Sequence, residues 1–179
     1  MNFQERPLAI TDVETTGLDD LFHEIIEIGL LVVDQNNFAV LDQYSVKIKP
    51  LYIERATKEA LKVNGYNEKD WQNTSSLSEA MTVYSEKTKD AMFLAYNMVF
   101  DWGFIKNAFK TTSIINEMDY HRLDLLTLGW QKTKKIPAIK KLNLNYLCEF
   151  FGIKPETEPH RAINGVMCEY ELLKIFLTT

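Results

Sequence analysis

Leu8-Ala9-Ile10-Thr11-Asp12-Val13-Glu14-Thr15-Thr16-Gly17-Leu18 is the stretch that decides how this chain is read. Leu8-Ala9-Ile10 is a short apolar run and reads as a buried strand. Two carboxylates close it. Side chains two residues apart on a strand share a face, so Asp12 and Glu14 can converge on one cation. Mg²⁺ and Mn²⁺ are hard ions that prefer such oxygen donors. Thr15-Thr16-Gly17 adds a turn whose N–H groups and hydroxyls suit a phosphate or ribose. An isolated Asp-x-Glu can equally end a strand in solvent, so other parts of the chain have to agree with it.

Working outward, Glu24 to Asp34 and Phe38 to Lys49 read as strands two and three, joined by Gln35-Asn36-Asn37 as a hairpin turn. A helix from Ile53 should stop at Asn64-Gly65, where glycine takes the left-handed cap conformation. Ser76 to Lys89 reads as a helix with Ser76 and Glu79 as a capping box. Ala91 to Tyr96 is a further strand, followed by a helix from Asp101 to Lys110. A short strand is expected near Ile114-Ile115 or Met118-Tyr120. Leu123 to Gln131, Leu142 to Phe151 and Ala162 to Leu177 read as three more helices. Strands crowd the first half and helices the second, which predicts an α/β fold with a mixed sheet flanked by helices.

Two further elements carry chemistry. Asn97-Met98-Val99-Phe100-Asp101 places a carboxylate after a strand, where it reads either as a helix cap or as a second ligand site. Pro159-His160-Arg161-Ala162 places a histidine in a polar loop before the last helix, and such a group suits a general base acting on water. Lys132, Lys134, Lys135, Lys140 and Lys141 could steer a single strand, or form a solvated loop. Trp71, Trp102 and Trp130 read as core rather than base-stacking residues, and Asp124 as a helix cap rather than an extra ligand.

The bulk composition fits this reading. With 179 residues, one domain covering 1–179 is expected. A net charge of −5 argues against a protein that grips long nucleic acid electrostatically, but not against one that holds an end through metal ions. The two cysteines, Cys148 and Cys168, form no CxxC pair, and neither a secretory signal nor a bilayer-spanning run is evident. A cytoplasmic protein with no membrane partner is the expectation.

Together, Asp12 to Leu18, Asn97 to Asp101, Leu142 to Ile153 and Pro159 to Ala162 resemble the motifs of the DEDDh (DnaQ-like) 3′→5′ exonucleases, in order and over nearly the whole chain. The resemblance implies an RNase H-like fold with a five-stranded mixed sheet. It implies hydrolysis of the 3′-terminal phosphodiester of single-stranded DNA or RNA with two Mg²⁺ or Mn²⁺ ions. Asp12, Glu14 and Asp101 would be the metal ligands and His160 the base. Thr15, Thr16, Leu18, Asn64, Asn97 and Phe100 would bind the terminal nucleotide. A DNA polymerase subunit is an implied partner.

The pattern breaks at position 165. The family carries an aspartate five residues after the histidine, and here Gly165 stands there. Asn164, which is adjacent, and Glu169, one helical turn on, are the candidate substitutes. The alternative is an impaired exonuclease-fold protein that binds nucleic acid or a polymerase without cutting. Tyr96 and Asn64-Gly65 also depart from residues frequent in the family, which predicts altered substrate contacts.

Overall fold

In the computed structural model, which describes residues 2–178, β1 (Leu8–Thr15) lies at the centre of one sheet. It pairs antiparallel with β2 (Ile25–Val33) and parallel with β4 (Met92–Ala95). β3 (Val40–Lys47) closes one edge against β2, and β5 (Arg122–Asp124) closes the other against β4. This is the expected five-stranded mixed sheet, in the order β3-β2-β1-β4-β5. β2 is buried along its length because helices or strands cover it on every side, hence its nearly unbroken apolar sequence.

Helices cover both faces. Before β4 come α1 (Lys58–Asn64), α2 (Glu68–Trp71) and α3 (Leu77–Lys87); α4 (Met98–Thr112) follows it. α3 and α4 pack with Ala9, Val13 and Phe93 on one face. α5 (Leu125–Thr133), α6 (Leu144–Phe150) and α7 (Ala162–Thr178) pack with Leu8, Ile10 and Leu94 on the other. Strand alternation makes Asp12 and Glu14 the continuation of the Leu8–Ile10 row, on the α7 side of the sheet. Among the described residues no helix is long and apolar enough to cross a membrane.

Local chemistry fixes several boundaries as read. Ser76 and Glu79 form the capping box of α3, and Gly65 ends α1 at φ 62°. Other boundaries move. The helix expected from Ile53 is a 3₁₀ turn (Ile53–Arg55) and a separate α1 capped by Thr57, whose Oγ1 accepts from the Ala60 N–H. α2 was not foreseen. The fifth strand is at neither Ile114-Ile115 nor Met118-Tyr120. It is Arg122–Asp124, which has one apolar residue and is recruited by parallel pairing with Phe93 to Ala95 rather than by its own pattern. α4 begins at Met98, not Asp101, so Asp101 is a first-turn residue and not a cap. Trp71 is core, its indole donating to the Ile26 carbonyl at 2.9 Å; Trp102 is half-buried beneath Arg122; Trp130 is exposed beside Lys134.

Candidate active site

The site forms because β1 outruns its parallel neighbour. The β1–β4 ladder ends at Ile10 paired with Leu94, which leaves Asp12 to Thr15 open on that side. Crevices of this kind, at the carboxyl ends of strands, are where open α/β sheets bind ligands. The Val13 N–H, beyond the ladder, donates to Asp101 Oδ1 at 3.2 Å. Asp101 is 3% exposed and sits in the first turn of α4, whose dipole favours a carboxylate. Asp12, Val13 and Glu14 line one cleft with Asn143 to Asn145, Glu156, His160 and Gly165.

These carboxyls are crowded, with Asp12 and Glu14 half-buried and Asp101 buried. Burial pushes Asp12 up to about 8, with the nearby Glu156 and Glu27 adding to it and the Val13 N–H opposing. Burial and then Asp12 push Glu14 up to about 9. Burial and then Asp12 also hold Asp101 well above the ordinary carboxyl range. The three offer oxygen donors, and the raising charges on Glu14 outnumber the one cation that lowers it, Arg161. Such a set fits a divalent cation, which would remove the penalty of ionising these groups together.

His160 reaches the cleft on a braced loop. Its backbone N–H donates to the Val63 carbonyl at 2.9 Å, and its Nδ1 lies 3.4 Å from Glu156 Oε2. The other Glu156 oxygen accepts from the Arg161 N–H at 2.6 Å. Arg161 in turn donates to the Asn64 carbonyl at 2.5 Å and stands 3.9 Å from Glu27. Glu156 was missed in the sequence, because one glutamate in a Lys-Pro-Glu-Thr-Glu loop carries no pattern. Only the fold brings its carboxylate within 4.8 Å of ligand atoms of both Glu14 and His160.

The expected nucleotide contacts divide into two groups. Leu18 is 83% exposed, Asn97 is open to solvent at φ 60°, and Phe100 is half-buried against Phe104. Thr15 and Thr16 turn their hydroxyls inward. Thr15 Oγ1 donates to the Gly17 carbonyl at 2.6 Å, and Thr16 Oγ1 accepts from the Glu24 N–H at 2.9 Å. Asn64 is 1% exposed, and both ends of its amide are engaged, with the Thr15 carbonyl at 3.0 Å and the Tyr66 N–H at 3.1 Å. It braces the Asp12–Thr16 segment against the Arg161 loop. Asp124 is the cap foreseen, accepting from the Thr127 and Met98 N–H groups, each at 3.2 Å.

The sequence matches the RNase_T exonuclease family over residues 9–173. The chain belongs to this DnaQ-like exonuclease family. It is 28% identical over 173 residues to DNA polymerase III PolC-type of Bacillus subtilis, covering 96% of this chain and 12% of that one. With the PolC-type polymerase of Thermotoga maritima it shares 26% over 164 residues, covering 90% of this chain and 11% of the other. Among solved structures, exonuclease I superposes with a TM-score of 0.81 at 18% identity, over 95% of this chain and 41% of that one. E. coli exonuclease I in complex with a dT13 oligonucleotide gives 0.78 at 17%, over 95% of this chain and 40% of its own. The exonuclease-family domain thus spans about a tenth of the polymerases it matches and about two fifths of the exonuclease I chains.

Position 165 of this exonuclease-family domain is shaped around Asp12. A Cβ on Gly165 would stand 2.4 Å from Asp12 Oδ2, so the Asp12 carboxylate occupies the room a side chain at 165 would need. Gly29, paired with Asp12 across the sheet, does the same for the backbone, since a Cβ there would meet the Ala162 carbonyl carbon at 2.4 Å. Two glycines therefore let the first turns of α7 rest directly on the part of the sheet that carries Asp12. Asn164, one of the two candidate substitutes, is exposed and lines a different cavity with Ile153, Met167 and Glu171. Helical geometry turns it about 100° away from Gly165. Glu169, the other, is 1% exposed.

Proposed function

We propose that this domain is a metal-dependent 3′→5′ exonuclease that hydrolyses the terminal phosphodiester of single-stranded nucleic acid. One observation carries the reading: Asp12 and Glu14 from β1 and His160 from the loop before α7 line a single cleft, and Asp101 accepts from the N–H of Val13, which lines it too. Three distant stretches of sequence meet there, and none needs the others to fold locally.

Asp12, Glu14 and Asp101 would hold Mg²⁺ or Mn²⁺, two ions in the family's scheme. When bound, such ions polarise the phosphodiester and make water a better nucleophile. His160 would take the proton from the attacking water at Nε2. Glu156, at ion-pair distance from Nδ1, holds the ring so that Nε2 is the free acceptor. Leu18 and Phe100 offer apolar surface to the terminal bases, and Asn97 an open amide. Thr15 and Thr16 contribute by shaping the turn, since their hydroxyls and the carbonyl of Thr15 are engaged within the fold. Asn64 acts by holding that turn in place.

The oligonucleotide complex of exonuclease I supports single-stranded DNA as the first substrate to try, and the PolC-type relatives support a polymerase as partner. Gly165 favours a second reading, a domain that binds strands without cutting. A 5′-labelled oligonucleotide, DNA and RNA in parallel, incubated with Mn²⁺ or with EDTA separates the two. Stepwise shortening from the 3′ end in Mn²⁺ alone supports the exonuclease; retention of an intact strand supports the binder and overturns the main reading.

A further inference from the structure

We propose that Glu169 is a metal ligand of the Asp12 centre, supplying a carboxylate from one helical turn along α7 while Gly165 lets Asp12 rest against that helix. The inference rests on the metal-dependent reading above and extends it to a residue outside the family's motif. Three observations carry it.

First, Glu169 stands four residues beyond Gly165, so the two share a face of α7. Long helical side chains point back toward the helix N-terminus, over the turn that precedes them. For Glu169 that turn is the one at Gly165, where no side chain intervenes and Asp12 Oδ2 occupies the space a Cβ would fill.

Second, Glu169 is 1% exposed, and its Oε2 has no hydrogen-bond partner among the described residues. Glu27 Oε2 is also without one, but the Arg161 guanidinium lies 3.9 Å from it. Burial, and then the Asp12 and Asp101 charges, hold the Glu169 carboxyl well above its ordinary range, and the Tyr96 backbone N–H opposes them. A buried carboxylate set among other carboxylates is strongly unfavourable to the fold.

Third, the placement cannot be ascribed to helix formation or core packing. Leu172, Leu173 and Val166 already bury the apolar stripe of α7, and a leucine at 169 would join them without an orphaned oxygen. A cation at the Asp12 centre would give the free oxygen a partner and relieve the repulsion together.

The decisive experiment titrates MnCl₂ into the whole chain by calorimetry and records thermal midpoints in EDTA, for the native chain, Glu169→Gln, Glu156→Gln and Glu171→Gln. Glu171, paired with Lys174 at 2.7 Å, controls for loss of charge on the same helix. Glu169→Gln should weaken Mn²⁺ about 10–100-fold, the scale on which neighbours of a metal site act. It should also raise the midpoint in EDTA at neutral pH, because glutamine needs neither a buried charge nor a proton taken up on folding. Glu171→Gln should leave Mn²⁺ affinity unchanged. Unaltered Mn²⁺ binding in Glu169→Gln overturns the proposal, and so does a lower midpoint in EDTA, which would mark a structural residue. Loss of affinity in Glu156→Gln but not in Glu169→Gln overturns it in favour of the loop carboxylate. If the native chain neither binds Mn²⁺ nor cuts, the exonuclease reading itself falls and takes this inference with it.

Discussion

Raising the pH without divalent cations should destabilise this domain, and the carboxyl cluster sets the size of the effect. Asp12 is pushed from 3.8 to about 8, and Glu14 from 4.5 to about 9. Between those limits the folded state holds protons that the unfolded chain has released, so stability falls as pH rises. Each carboxyl gives a slope of at most ~1.4 kcal/mol per pH unit, and the pair roughly 2.7. At about 2–4 °C per kcal/mol for a domain of this size, the midpoint should drop by ~5 °C or more per unit between about pH 5 and 8. Glu27 and Glu156 are raised as well and act in the same direction. Asp42 and Asp119 are lowered, so their contributions change only below about pH 4, outside the window. Thermal melts in EDTA from pH 5 to 8.5 measure the slope, and saturating Mn²⁺ should flatten it by taking the place of the protons. Asp12→Asn should be more stable than the native chain at pH 8 in EDTA while losing cleavage, the signature of a charge kept for function at the expense of stability. A midpoint in EDTA that stays level or climbs over this range would refute the reasoning.

Three further outcomes are expected besides the Glu169 series. His160→Ala should lower cleavage about 10²–10⁴-fold while Mn²⁺ binding stays near native; equal losses in both would make it a ligand or a fold residue instead. Gly165→Ala places a methyl 2.4 Å from Asp12 Oδ2 and should weaken Mn²⁺ about 10-fold, although alanine favours a helix by ~1 kcal/mol. Native affinity in that variant would mean that Asp12 has another place to go. Asn64→Ala removes a buried brace between the Thr15 carbonyl and the Tyr66 N–H, and should destabilise the domain by roughly 1–3 kcal/mol in denaturant melts. Weaker oligonucleotide binding with unchanged stability would restore Asn64 to the nucleotide contacts.

Much of the fold is local and therefore legible. The Ser76–Glu79 box, the Gly65 stop, the Asp124 cap and the hairpin between β2 and β3 follow from side chains acting on their own backbone. Periodicity places Asp12 and Glu14 on one face, since alternation along a strand needs no partner. β5 was not legible: Arg122–Asp124 becomes a strand because β4 offers an open edge, and no pattern within three residues encodes that. The α4 boundary fails for a related reason. Asp101 looks like a cap until the fold supplies the Val13 N–H as its partner, 88 positions away in sequence.

By itself, then, the sequence singled out the residues proposed to carry the chemistry, because carboxylates at fixed spacing after strands, and a histidine before a helix, are written in adjacent letters. Only the tertiary structure decided which groups surround them. Glu156 joins His160 and Glu14, Asn64 becomes a brace, Asn164 turns outward, and Glu169 is buried with a free oxygen beneath Gly165. Each of these depends on how α7 and its preceding loop rest against β1. That docking is set by glycine-sized gaps at 29 and 165, whose meaning lies in the neighbours that fill them.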